Sequence, residues 1–349
     1  MIVAATGNLL DAAVEALVNT VNTVGVMGKG IALQFSRAYP ENEAVYEQAC
    51  KQGEVQPGRM FIFETKALNG PRYIVNFPTK RHWRARSRIE DIASGLEALV
   101  AEVQRLRIKS IAVPPLGCGN GGLDWAEVHP LIVSAFAAVP EVEVHLYAPQ
   151  GAPTSERMAN RTKRPRITPA VASTVGILSR YSRYDYRLSL LEVHKLVYFL
   201  KTAGEPMERT MFEKGAYGPY ADSLRHVLNR LEGHFLSGWG DGTQNKPETP
   251  IHLVPGASEE AEAALKDQPE TLTRFDRVAR LIEGFATPYG LELLSSVHWV
   301  VVHELPPDRQ NAEAAIEAVQ QWSPRKRSLF KEVHLRLAWD RLHASGWLA

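Results

Sequence analysis

"PPLGCGNGGLDW", residues 114–125, places four glycines in six positions, Gly117 to Gly122, directly behind the apolar run "SIAVPP" and ahead of a helical pattern. A strand, a glycine-rich turn and a helix in this order let backbone N–H groups converge on an anion, with the helix N-terminus adding partial positive charge. A tight connector would need only two or three residues. A second cluster, "NTVGVMGKGIALQF" (22–35), carries Gly25, Gly28 and Gly30 in the same strand-to-helix position. One such loop is a weak signal; two in one α/β pattern predict a diphosphate held from both sides. Neither loop has the Gly-Lys-Ser/Thr of a Walker loop, and neither has G-x-G-x-x-G with an acid about 20 residues on.

The flanking pattern supports this setting. "VEALVNTVN" (14–22), "RMFIFETK" (59–66), "RYIVNFPT" (72–79), "KSIAVPP" (109–115) and "VEVHLYAP" (142–149) read as strands, with a turn at Asn69-Gly70-Pro71. "GIALQFSRAYPENEAVYEQACK" reads as a helix interrupted near Pro40. Ile89, Ile92, Leu96, Leu99, Val100, Val103 and Leu106 recur at helical spacing, and "DWAEVHPLIVSAFAAV" is a further helix. Strands alternating with helices over about 150 residues predict a three-layer α/β domain.

At 349 residues the chain has room for two domains. After a stretch without periodicity, "QGAPTSERMANRTKRPRITPA", the pattern turns helical: "RLSLLEVHKLVYFLKTAG" (187–204), "YADSLRHVLNRLEG", "LTRFDRVARLIEGF", "LELLSSVHWVVVHE" and "KEVHLRLAWDRLHA". The reading is therefore residues 1–152 as one domain, 153–167 as a basic Pro-rich linker, and 168–349 as a mostly α-helical domain. Five basic residues between Arg157 and Arg166 fit a solvated linker or a contact with an acidic partner. Within the helical half, "FLSGWGDG" (235–242) reads as an exposed aromatic loop.

Net charge is +1, and neither side of residue 150 is strongly polarised, which excludes a global electrostatic pull toward nucleic acid or membrane. No apolar run approaches the ~18 residues of a membrane helix, and the start "MIVAATGNLL" lacks a basic n-region. Two cysteines, Cys50 and Cys118, predict no disulfide framework and a cytoplasmic setting.

The paired loops resemble those of the macrodomain family, which binds ADP-ribose. "VAATGNLL" is similar to the family's opening strand and the turn that meets adenine, with Asn8 where an acid stands and Leu9 beside it. "VNTVNTVGVMGKGIA" is similar to its Asn-rich loop, which implies Asn22, Thr23, Gly28, Lys29, Gly30 and Ile31 against the distal ribose and phosphates. "PPLGCGNGGLDW" is similar to its second phosphate loop, which implies Leu116, Gly117, Cys118, Gly119, Asn120, Gly121, Gly122 and Leu123. The mixed central sheet of that family is the fold this implies. "MGKGIALQF", Pro78-Thr79-Lys80-Arg81 and "LGCG" further resemble the branch holding the terminal ADP-ribose glycohydrolase and the DarG antitoxins. In that branch a lysine after the central strand is catalytic, which implies Lys80. The glycohydrolase has an acid two residues after its Gly-Cys-Gly; here that position is Gly121, with Asp124 three further on. The lysine–aspartate mechanism therefore does not carry over intact. "HKLVYFLKTAG" and "YGPYADSL" resemble the C-terminal half of DarG and, more distantly, the Panacea antitoxin domain.

A lysine just past a strand is ordinarily a solvated charge. Lys80, however, opens "KRHWRARSR", where Arg81 and Arg84 are expected to lower its pKa. Arginines interleaved with Trp83 also suit single-stranded nucleic acid, the alternative being a basic helix face before Ile89. Asn22 reads as a ribose ligand or a turn-forming residue, and Lys29 as a phosphate contact or a solvent-facing charge. Cys118 lacks a His or Asp at usable spacing and reads as packing. His194, His226 and His298 lie in apolar helices, and no Cys/His spacing predicts a metal.

The resemblance implies an antitoxin with ADP-ribosyl glycohydrolase activity, which removes ADP-ribose from thymidine in single-stranded DNA without a cofactor. It implies a helical domain that binds a DarT-type DNA ADP-ribosyltransferase toxin. The alternatives are a hydrolase acting on ADP-ribosylated protein side chains and a module that only reads ADP-ribose.

Overall fold

The computed structural model describes residues 1–67, 69–183 and 188–348. Arg187 and Ala349, at the start of one expected helix and the end of the expected second domain, lie outside the described residues. The chain divides into two compact units. The first comprises Met1–Lys163 and Gly240–Gln244, the second Arg164–Trp239 and Asn245–Ala349.

In the first unit the elements run β1 (Ile2–Ala5), β2 (Ala16–Asn22), α1 (Gly30–Ala38), α2 (Pro40–Lys51), β3 (Phe61–Glu64), β4 (Tyr73–Lys80), α3 (Ile89–Leu106), β5 (Ser110–Val113), α4 (Trp125–Phe136) and β6 (Glu143–Tyr147). The sheet has the order β1-β6-β5-β2-β4-β3; β3 is antiparallel to β4 and the other pairs are parallel, so the sheet is mixed. Both faces are covered, and the side-chain period of two sorts the strands between them. Ala16, Val18, Val75 and Phe77 pack with Ile92, Leu96 and Leu99 of α3 and with Val128 and Ile132 of α4. Leu17 and Ile74 turn to the other side, with Phe35 of α1. Val21 packs there with Ala32 of α1 and Tyr46 and Ala49 of α2. The break expected near Pro40 falls at Tyr39: Pro40 opens α2, where its missing N–H costs no hydrogen bond.

Beneath the first glycine loop lies a buried amide network. Asn19 Nδ2 donates to Asn76 Oδ1 (2.9 Å), and Asn76 Nδ2 donates to Asn42 Oδ1 (2.7 Å). All three residues are fully buried, and Asn19 also reaches the Met27 sulfur at 3.8 Å, tying the loop to the sheet.

In the second unit, α5 (Pro169–Ser182) leads to α6 (Leu190–Thr202) and a short hairpin, β7 (Glu213–Gly215) with β8 (Gly218–Tyr220). After α7 (Ser223–Leu231) come the paired β9 (Leu236–Ser237) and β10 (His252–Leu253). The rest is helical: α8 (Ala257–Leu265), α9 (Pro269–Ile282), α10 (Pro288–His303), α11 (Ala312–Trp322), α12 (Pro324–Leu329) and α13 (Glu332–Ala344). Helices α6 and α10 are buried almost all round and form its centre. A single apolar cluster spans Val171 to Leu348. His298 accepts or donates at Nδ1 to Tyr198 Oη (2.7 Å), His194 stacks on Tyr220, and His226 is exposed.

The loop "FLSGWGDG" corrects one expectation. Phe235, Leu236 and Trp239 are buried in the core of the second unit, so this loop offers no exposed aromatic anchor. Among the described residues no helix is long and apolar enough to cross a membrane.

Candidate functional site

Parallel strands β2, β4 and β5 all end at one edge of the sheet, where open α/β sheets place their ligands. Three predicted elements meet there. Strand β2 ends at Asn22 and runs into the first glycine loop. Strand β4 ends at Lys80, which pairs in register with Asn22 across a local irregularity after Val21. Strand β5 ends at Val113 and runs into the second glycine loop.

The second loop is held by its own backbone. Cys118 N donates to Pro115 O, Gly122 N to Gly119 O, and Leu123 N to Gly117 O, each at 3.1 Å; Ser87 N donates to Gly121 O at 3.0 Å. The amides of Gly119, Asn120 and Gly121 make no hydrogen bond among the described residues. Three successive donors without a protein partner are what an anion-binding turn can offer. Gly121 is a glycine for lack of space: an added Cβ would fall far inside 3.0 Å of both Gly117 O and Ser87 Oγ. The acid that the glycohydrolase pattern has at this position therefore cannot be seated in this loop as it is built. Around Gly119 nothing lies within 4 Å of an added Cβ. Asp124 caps α4, accepting from Ala126 N at 2.9 Å, a tie worth about 1 kcal/mol and a structural use of that carboxylate.

The first loop is folded around Asn22. Its Nδ2 donates to Val26 O (2.6 Å), while its Oδ1 accepts from Val24 N (3.0 Å) and Val26 N (3.3 Å). Buried Tyr46 donates to Asn22 O at 2.6 Å. Asn22 thus acts as the turn-former of its loop, and only the second hydrogen of its Nδ2 is left for a ligand. Thr23 Oγ1 donates to Arg81 O at 2.7 Å, joining this loop to the segment after β4. Gly28 and Lys29 are exposed at the mouth, and Gly30 and Ile31 open α1. At Asn8 the side-chain oxygen already accepts from Leu10 N (3.1 Å) and Nδ2 donates to Arg157 O (3.3 Å), which fixes the turn that holds buried Leu9.

Lys80 crosses from β4 to the second loop, its Nζ donating to the carbonyl of Asn120. Burial lowers its pKa below the ordinary lysine value of 10.5. The expected cause, neighbouring cations, is corrected: Arg81 is paired with Asp91 at 2.7 Å, and the Arg84 guanidinium lies 4.4 Å over the Trp83 ring. Residues 81–88 are an irregular loop rather than a helix face, and His82, Trp83 and Arg84 form an exposed stack with Trp83 42% accessible. Burial pushes the Cys118 thiol up to about 11, which keeps it protonated near neutral pH and fits packing.

Sequence reasoning missed four residues. Ser87, with a buried hydroxyl lacking a partner among the described residues, backs Gly117 and Gly121. Tyr46 props the first loop. Asp241 and Thr243 reach the first unit from far along the chain. An added Cβ on Gly30 would lie 3.0 Å from Asn120 Nδ2 and 3.4 Å from Thr243 Cγ2, so both glycine loops and this segment converge at Gly30.

Comparison with known proteins adds the following. The Macro domain family model matches residues 18–132. A Thermus aquaticus protein, DNA ADP-ribosyl glycohydrolase, is 47% identical over 342 residues, covering 98% of this chain and 93% of its own. A Thermosipho africanus DNA ADP-ribosyl transferase–DNA ADP-ribosyl glycohydrolase fusion protein is 36% identical over 158 residues, covering 41% of this chain and 40% of the fusion. The solved macrodomain of Mycobacterium tuberculosis DarG is 57% identical, with a TM-score of 0.43, covering 43% of this chain and 99% of that one.

Proposed function

The chain belongs to the DNA ADP-ribosyl glycohydrolase family, and on that premise we propose that it is an antitoxin whose first unit removes ADP-ribose from thymidine in single-stranded DNA. The same proposal gives the second unit the task of binding and blocking a DarT-type DNA ADP-ribosyltransferase. Fusion of a transferase and a glycohydrolase in the Thermosipho africanus relative supports that partnership. The two free cysteines suit the cytoplasm.

The observation that carries the catalytic reading is Lys80 lying across to Asn120 at the sheet edge, between two loops suited to a diphosphate. The loop Gly119–Gly121 and the first turn of α1, from Ile31 onward, would take the two phosphates from opposite sides. Lys29 is exposed beside them. Asn8 and Leu9 would lie toward adenine, and Asn22 and Thr23 toward the distal ribose. Lys80 would then meet the anomeric carbon of that ribose. In the overall reaction the C–N bond to the base breaks, the water oxygen ends on the anomeric carbon, and the base nitrogen leaves with a proton. Lys80 acts as a nucleophile on that carbon, or its charge steadies the leaving base.

The exposed His82-Trp83-Arg84 stack beside Lys80 favours a DNA substrate over a protein side chain, because bases stack on such a platform whatever their sequence. The test is Lys80→Ala. We expect removal of ADP-ribose from a modified oligonucleotide to be lost while calorimetric affinity for free ADP-ribose stays within about threefold, as for a group acting mainly in the transition state. Wild-type turnover by Lys80→Ala would overturn the assignment.

A further inference from the structure

Helix α1 carries a buried polar stripe. Gly30, Gln34 and Arg37 follow one another at helical spacing on one face, and all three are buried. Their partners lie in the segment Gly240–Gln244. Gly30 N donates to Asp241 O at 3.1 Å. Gln34 Nε2 donates to Asp241 Oδ2 at 2.7 Å, and Arg37 Nη1 donates to Gly240 O at 2.7 Å. Asp241 is 3% exposed, and its other oxygen accepts from Thr243 N (3.0 Å) and Thr243 Oγ1 (2.6 Å), which folds the segment into a tight turn. Thr243 itself is exposed, with its methyl group at the Gly30–Asn120 convergence.

We propose that Asp241 is a positioning residue for ADP-ribose, and that Thr243 forms part of the rim of the same cleft. This rests on the functional reading above. Three consequences of the geometry support it. The Asp241 carbonyl takes the first amide of α1, so the amides left for phosphate begin at Ile31. The Asp241 carboxylate grips the helix one turn further on, at Gln34, which fixes the direction in which those amides point. The turn that Asp241 closes sets the Thr243 methyl beside Gly30, where it bounds the space over the start of α1. Lys80 is held from the opposite loop, so the segment governs ligand binding more than the bond-breaking step.

The test uses the full-length chain, with free ADP-ribose in calorimetry and an ADP-ribosylated oligonucleotide in turnover. Asp241→Ala should weaken ADP-ribose binding about tenfold and raise KM in proportion, with kcat within about twofold, the loss expected when ties to one buried carboxylate are removed. Asp241→Asn keeps an acceptor for Thr243, and a turned-over Gln34 carboxamide can accept from the new Nδ2, so affinity should return to within about twofold of wild type. If Asp241→Ala fails to fold, Gln34→Met cuts the same tie from the helix side and should show the same KM-selective loss. Wild-type affinity in a folded Asp241→Ala or Gln34→Met would overturn the proposal, as would an equal fall of kcat and kcat/KM. Failure of the wild-type chain to bind ADP-ribose would instead overturn the reading on which it rests.

Discussion

Gly121→Ala tests whether the second loop is a shaped part of the catalytic site. The added methyl carbon would sit far inside 3.0 Å of Gly117 O and Ser87 Oγ, and 2.8 Å from Gly117 C. Neither neighbour yields easily. Gly117 O holds Leu123 N, and Ser87 N is bonded to Gly121 O itself. The loop must therefore move by most of an ångström. The peptide that moves first is that of Asn120, whose carbonyl holds Lys80 Nζ. Displacements of about 1 Å in a catalytic constellation cost on the order of 10²-fold, so kcat/KM should fall by that order. Overpacking should cost about 1–3 kcal/mol, a drop of several degrees in the melting temperature of the first unit. The control is Gly119→Ala in the same loop, where an added Cβ meets nothing within 4 Å and turnover should stay near wild type. The assay is gel-resolved removal of ADP-ribose from a labelled oligonucleotide, beside a thermal melt. Wild-type kcat/KM in Gly121→Ala would refute the reasoning, and so would equal losses in the two variants.

Further expectations are more direct. Gly119→Glu projects a carboxylate into the open space by the second loop, where it should repel the diphosphate and weaken ADP-ribose binding by at least about 100-fold in calorimetry; unchanged affinity in the folded variant would make the loop a plain connector. Burial lowers the Lys80 pKa, so if its neutral amine attacks, kcat should rise with pH along a limb centred below 10.5 that is absent in Lys80→Arg; a rate flat or falling with pH would assign Lys80 an electrostatic part. Lys195, fully buried and donating to Pro219 O, has its pKa lowered to about 7 by burial and by the charge of Lys326. An unfolded lysine stays protonated up to 10.5, so the second unit should gain stability as pH rises from about 7 toward that value, and thermal melts of Lys195→Met should lose most of that dependence. A fragment spanning residues 168–349 should pull down the toxin and block DNA modification without releasing ADP-ribose; a folded fragment that ignores a toxin captured by the full chain would refute the division of labour.

Much of the first unit was readable from the sequence because its elements obey local rules. The short, largely apolar runs in "VEALVNTVN" and "RYIVNFPT" reflect the two-faced burial of central strands, and both appear as β2 and β4. The strand–glycine–helix order located both loops; Lys80 came from the family resemblance, and the end of β4 brings it to the same sheet edge. In the helical half the period of the long helices was clear, but α5 was hidden by its start, "ITPAVASTV". Thr168 and Pro169 close a stretch read as without periodicity, whereas they are the cap and the first residue of a helix. The hairpin of β7 and β8 has three residues in each strand, too few for an alternation to register. At Asn22 a turn-former and a ligand use the same carboxamide, and only its partners decide between them.

The segment Gly240–Gln244 marks a deeper limit, and it follows from how polar residues are read. A polar pair such as Gln34 and Arg37 on one face of an amphipathic helix is by default solvent-facing. Here it is buried, because Asp241 and Gly240 supply its hydrogen bonds from 207 and 203 residues further along. Periodicity reports which side chains share a face, not what that face meets, since water and a buried turn satisfy the same donors. The residues that complete the face, "GDGT", carry the composition of any surface loop. Nothing within either stretch distinguishes the two cases. The distinction lies in the pairing of a buried arginine and glutamine with an acceptor-rich turn, which exists only after the chain has folded. A substitution at Asp241 would therefore pass, by sequence alone, for a change in an exposed loop, while the geometry places it against the first turn of α1, the turn proposed to take a phosphate.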